Sequence, residues 1–152
     1  MNSSGWLIAA LALSFPALSY AYQPWSVSKV GDITVISQQK EEWGVYFSGS
    51  RSEAVFCFVG PMMVAAEKIT TVKLKVGEGP WFDAPLVGHD HETLCVMETK
   101  KAIGLLGAMV AHGKMSFGIK DQGVFKSVEF DASELNTKIK NSLLNSGATQ
   151  AP

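Results

Sequence analysis

The stretch AVFCFV, residues 54–59, decides how this chain folds. Its six consecutive apolar residues lie between the polar turn SGSRSE (48–53) and Gly60-Pro61. The run is too short for a buried helix and shows no alternation, so it reads as a strand covered on both faces. Such a strand needs neighbours on either side and a layer above it. Cys57 stands in its middle.

Working outward, the flanking segments also read as strands. WGVYFSG (43–49) puts Trp43, Val45 and Phe47 on one face. WSVSKV (25–30) and ITVISQ (33–38) flank the two-residue turn signal Gly31-Asp32. TTVKLKV (70–76) is amphipathic, with Val72, Leu74 and Val76 inward and Lys73 and Lys75 outward. After the turn GEGP (77–80), WFDAPLV (81–87) is expected to be an edge-like strand, because Pro85 has no N–H to donate. TLCVME (93–98) is a short strand. KMSFGIK (114–120) and FKSVEF (125–130) flank a turn at Asp121–Gly123.

Two segments carry helical spacing. Thr99 can cap KKAIGLLGAMVAHG (100–113), where Ile103, Leu106, Gly107 and Val110 share a face and Gly113 ends the helix. Leu105 and Met109 occupy another face, so wide burial is expected. Gly104 and Gly107 suggest close packing of this helix on a sheet. In DASELNTKIKNSLLN (131–145), Asp131 or Ser133 can cap, Asp131 and Glu134 have capping-box spacing, and Leu135, Ile139 and Leu143 recur every four residues. The expected fold is mainly β (α+β): an antiparallel β-sandwich or curved sheet with one inserted helix and one C-terminal helix.

Composition narrows the setting. The chain has 152 residues and a formal charge of −1. Its lysines are scattered, so it has no electrostatic footprint for nucleic acid or an anionic membrane. Residues 1–21 hold no charged side chain, and an apolar run from Trp6 to Leu18 leads to Ser19-Tyr20-Ala21. This is the pattern of a secretory signal peptide cut after Ala21, which predicts a periplasmic or secreted protein without stable membrane insertion. Residues 22–145 then form a single β-rich globular domain and 146–152 a flexible tail. In an oxidising compartment Cys57 and Cys95 are expected to form a disulfide.

GHDHETLCVM (88–97) is the densest chemical segment. On an extended backbone His89 and His91 point the same way and can share a copper or zinc ion, with Met97 as a soft neighbour. The disulfide withdraws Cys95 from that set. GHDHE then reads as a polar turn and TLCVM as a core strand. His112 closes the inserted helix, where an imidazolium favours the helix C-terminus. Nucleophilic chemistry has little to build on. No serine sits in Gly-x-Ser-x-Gly, and FSGSRSE (47–53) is a Gly/Ser turn. The carboxylate pairs Asp90/Glu92 and Glu41/Glu42 lie in turn-like segments, and no phosphate loop is present. Aromatic residues are the remaining hint. Two of them on one outer sheet face would make a partner or ligand patch.

The run from AVFCFV through TTVKLKVGEGPWFD, KKAIGLLGAMVAHGKMSFGIKD and KSVEFDASELNTKIKNSLLN (about 54–145) resembles exported proteins of the invasion-associated locus B type. It is similar also to the periplasmic accessory proteins of type VI secretion. The shared pattern is a Lys-bearing strand meeting a Gly-Pro turn, then helix, strand, final strand and short terminal helix. The chain departs from it in lacking the close cysteine pair of the first group and the terminal cysteine of the second. The resemblance implies a non-catalytic β-rich periplasmic domain and carries over no catalytic residue. Together these readings predict a small exported protein, not an enzyme, that needs no cofactor and binds another envelope or secreted protein. A metal binder using His89 and His91 is the alternative, and a hydrolase the second.

Overall fold

The structure is a computed structural model and describes residues 25–141. The expected signal peptide, the tail from 146 and Leu143 lie outside these residues. The chain forms one antiparallel sheet, curled into a half-barrel, in the order β1-β2-β3-β4-β7-β6-β5-β8-β9. The strands are β1 (Ser26–Val30), β2 (Ile33–Lys40), β3 (Trp43–Gly49), β4 (Ala54–Val59), β5 (Ile69–Val76), β6 (Phe82–Asp90), β7 (Thr93–Val96), β8 (Lys114–Asp121) and β9 (Val124–Asp131). Helix α1 (Thr99–His112) joins β7 to β8, and residues 135–141 form α2. The curved sheet, rather than a two-sheet sandwich, is the fold.

Tight turns build the first four strands as a meander. Gly31 takes φ 65° at the β1–β2 turn, and Glu41 takes φ 56° at the β2–β3 turn. At the β8–β9 turn Gln122 and Gly123 both have positive φ, the geometry whose twist suits a two-residue hairpin. From β4 the chain runs through 60–68 to β5. It returns through β6 to lay β7 beside β4, and α1 carries it back to β8 on the far side of β5.

The apolar run AVFCFV sits where its pattern requires. β4 pairs with β3 on one side and β7 on the other, and Ala54 to Phe58 are all buried. All of β3 and β7 are buried too. Trp43, Val45 and Phe47 join Phe56 and Phe58 inside the curl, whereas Tyr46, Val55, Cys57 and Cys95 form a second cluster on the opposite face. The curl brings distant strands together across the core. Phe58 of β4 stacks on Phe117 of β8 at 4.5 Å between ring centroids, and Trp43 of β3 meets Phe117 at 5.7 Å. Gly60 is required here, because a Cβ would lie 2.2 Å from the Trp43 ring.

Side chains bridge the two edges of the sheet. Trp25 Nε1 donates to the Asp131 carbonyl at 2.6 Å, and Lys40 Nζ donates to the Glu129 carbonyl at 2.8 Å. Lys138 of α2 donates to the Trp25 carbonyl at 2.9 Å, while Leu135 and Ile139 pack α2 on the same core. Asp131 Oδ1 accepts from the Ser133 N–H at 2.9 Å and so holds the turn into α2.

Two carboxylates make this arrangement acid-sensitive. The Ser133 backbone and hydroxyl donors, with Lys40 and Lys114 nearby, hold the Asp131 carboxyl below its ordinary range. The Lys126 ammonium, 2.9 Å from Asp121 Oδ2, does the same for Asp121, helped by the Met63 N–H. Lys126 also donates to the Pro61 carbonyl at 2.9 Å, which ties the β8–β9 hairpin to the 60–68 segment. A carboxyl whose folded pKa is depressed stabilises the fold above its unfolded pKa of about 4, and that contribution is lost as pH falls through the folded value. Urea midpoints are therefore expected to fall as the pH drops below about 4. Asp121→Asn should lower the midpoint at neutral pH and flatten the acid limb. An unchanged acid limb in that variant would show that Asp121 does not contribute to the acid sensitivity.

Helix α1 differs from the sequence expectation in three ways. Thr99 is its first helical residue rather than its cap. The N-cap is Glu98, without a side-chain cap bond, while Thr99 Oγ1 accepts from the Ala54 N–H at 3.2 Å. The core face is Ala102 and Met109, flanked by Leu105, Leu106 and Val110; Ile103 is exposed, so burial is narrow. Gly104 and Gly107 do not pack against the sheet, since a Cβ at either would meet nothing within 4 Å. The C-terminus is as expected, with Gly113 at φ 76° in the left-handed region.

Candidate functional site

Three features compete for function: the 88–97 segment, a cavity beside α1, and an aromatic pair on the outer face. In the first, GHDHE is not one polar turn. β6 continues through Gly88, His89 and Asp90, and only His91 and Glu92 turn into β7. Gly88 marks a close backbone approach rather than a turn, because a Cβ there would lie 2.1 Å from the Ala65 carbonyl oxygen. Its N–H donates to the Lys68 carbonyl at 2.8 Å, and its carbonyl accepts from the Glu67 N–H at 2.7 Å. Gly88→Ala must displace the 65–68 backbone and is expected to cost about 1–3 kcal/mol, read from the urea midpoint. A neutral effect would mean that this segment yields freely.

Two other side chains of the segment bond to the backbone. Asp90 Oδ1 accepts from the Glu92 N–H at 2.8 Å. His91 Nδ1 lies 3.2 Å from the Val64 carbonyl, so the tautomer protonated at Nδ1 donates there. His89 is half-buried, and Met97 is exposed. Among the described residues no three His, Cys, Asp or Glu side chains converge as a metal site. The sulfurs of Cys57 and Cys95 are at bonding distance. The two residues are register partners on β4 and β7 with Cα atoms 4.1 Å apart, close to the narrow pair of an antiparallel ladder. Beside them, burial pushes the Tyr46 phenol well above its usual range, and the Asp90 charge adds to the effect. A buried disulfide fits a non-cytoplasmic compartment. Among the described residues no helix is long and apolar enough to cross a membrane.

The cavity, about 380 Å³, arises from the short β7. That strand ends at Val96, and its pairing with β6 begins only at Val87, so residues 82–86 of β6 have β5 on one side and no strand on the other. β6 is thus internal to the sheet, not the expected edge strand, yet locally it is an edge. Gly88 turns its N–H and carbonyl toward the β5 side. By the two-residue repeat, Asp83 and Pro85 face the open side, where Pro85 removes a donor and blunts pairing with another strand. Leu74, Phe82, Leu86 and Val96 line the space from the sheet; Lys101, Gly104, Leu105 and Ala108 line it from α1. The Lys101-Gly104-Leu105-Ala108 spacing is a helical stripe, which the sequence reading did not single out, having taken Gly104 for close packing on the sheet.

On the outer face Trp81 and Phe125 meet edge to face, with centroids 5.8 Å apart. The Phe125 ring covers Gly118 of β8, where a Cβ would lie 2.4 Å from it. Trp81 is 40% exposed and Phe125 52%, with Val124 exposed beside them, so this is an open apolar patch. Lys73 and Asp83, paired at 2.5 Å, lie on the same face of β5 and β6. Of the described tryptophans, Trp25 and Trp43 belong to the core and only Trp81 is available for contact. No protein-family model matches the chain, and no match to it was found among the curated proteins or the solved structures.

Proposed function

We propose that this is a small exported, non-catalytic protein that binds another envelope or secreted protein through the Trp81–Phe125 patch. The observation that carries the reading is the pair itself: two large aromatic side chains, half exposed, in contact on an outer sheet face. Rigid aromatic anchors of this kind supply most of the energy of protein interfaces. The signal-like residues 1–21, the paired cysteines and the resemblance to exported accessory proteins all point to the periplasm or the exterior. Neither histidine of the 88–97 segment hydrogen-bonds a serine or cysteine among the described residues, and neither lines the cavity. That arrangement favours binding over nucleophilic chemistry.

Trp81→Ala tests the proposal. Its loss should weaken capture of the partner from an envelope extract about 30-fold, as for an anchor worth about 2 kcal/mol, and should move Tm by no more than a few degrees. Equal capture by wild type and variant would place the contact elsewhere.

A further inference from the structure

We propose that the cavity beside α1 binds the hydrocarbon chain of a single-chain amphiphile whose anionic head sits at Lys101. Neither Trp81 nor Phe125 lines this cavity, so the proposal does not rest on the patch. At about 380 Å³ the cavity falls near the lower end of the ~300–1,000 Å³ typical of ligand pockets, enough for one chain rather than two. Its walls are almost wholly apolar, from Leu74, Val76, Phe82, Leu86, Val96 and Leu105. Among the described residues no buried polar side chain converges on the interior, so a sugar or nucleotide would lose its hydrogen bonds on entry, and Pro85 blunts the addition of a peptide strand at the open edge of β6. A hydrocarbon has no hydrogen bonds to lose.

Among the described residues, the charged ones lining the space are Asp83 and Lys101. The charge of Asp83 is offset by Lys73, 2.5 Å away. Lys101 is paired with Glu98 at 3.2 Å, with both side chains more than half exposed. An exposed pair of that kind contributes little and exchanges readily for another carboxylate. Lys100 adds a second exposed cation on the same first turn, and no acidic residue lies in that turn. The mouth therefore favours a negative head kept in water while the chain is buried. The helix supplies the room: Gly104 leaves open space where a side chain would project, and Ala108 continues the stripe one turn on.

Isothermal titration of the purified full chain with dodecanoate, dodecanol and dodecyltrimethylammonium tests this. Dodecanoate should bind saturably at one site, and more tightly than either of the others. Gly104→Leu should weaken dodecanoate at least about tenfold without lowering the ligand-free Tm, because alanine-like residues replace glycine favourably in a helix. Ala108→Leu should do the same from the next turn. Lys101→Glu should weaken dodecanoate while leaving dodecanol unchanged. Absence of saturable binding, binding indifferent to both filling variants, or equal affinity for the three head groups would each overturn the proposal.

Discussion

Replacing Cys57 and Cys95 together by alanine is expected to cost about 4 kcal/mol and to lower Tm by on the order of 10–20 °C. The bond closes a loop 38 residues apart in sequence, so its removal restores considerable freedom to the unfolded chain. Both side chains are fully buried on the two central strands β4 and β7, where their shortening also leaves empty space. Calorimetry of the oxidised wild type and the double variant measures the difference. Thiol labelling of the native protein provides the control, with no reactive thiol expected. Two labelled cysteines, or a Tm shift under about 2 °C, would show that β4 and β7 are held by pairing and packing alone.

Phe117→Ala should be nearly as damaging, at about 3–5 kcal/mol. Its ring stacks on Phe58 and touches Trp43, so it links β8 to β3 and β4 across the interior of the curl. Those strands lie far apart in the sheet order, and only their side chains join them. Phe117→Leu keeps most of the volume and should cost less than about 2 kcal/mol, while a Phe58/Phe117 double-mutant cycle should show coupling of about 0.5–1.5 kcal/mol. Additive single effects would mean that the two halves of the sheet close independently of this stack.

The strands were legible in the sequence because their burial is periodic or continuous. AVFCFV gave a strand covered on both faces and TTVKLKV a strand with one face in, as each is in the structure. The path of the curl was not legible, because pairing β4 with β7 rather than β5 depends on contacts between distant segments. Gly88 shows the same limit at one residue. Glycine in a polar run suits a turn, yet here it answers to a carbonyl from Ala65, more than twenty positions away. The helix was misread for a related reason. Its small residues fit close packing, whereas Gly104 borders a space left by the early end of β7. The outer aromatic pair could be anticipated only as a condition, since nothing local sets which tryptophan faces outward.

The claim that the Trp81–Phe125 face meets a partner is tested most directly by photocrosslinking in the intact envelope. A photoreactive amino acid is placed in turn at Trp81, at Val124 and, as a reference on α1, at Ile103. Positions 81 and 124 should each capture the same protein partner, and position 103 should not. Capture of one protein equally from all three positions, or from 103 alone, would contradict the proposed interface.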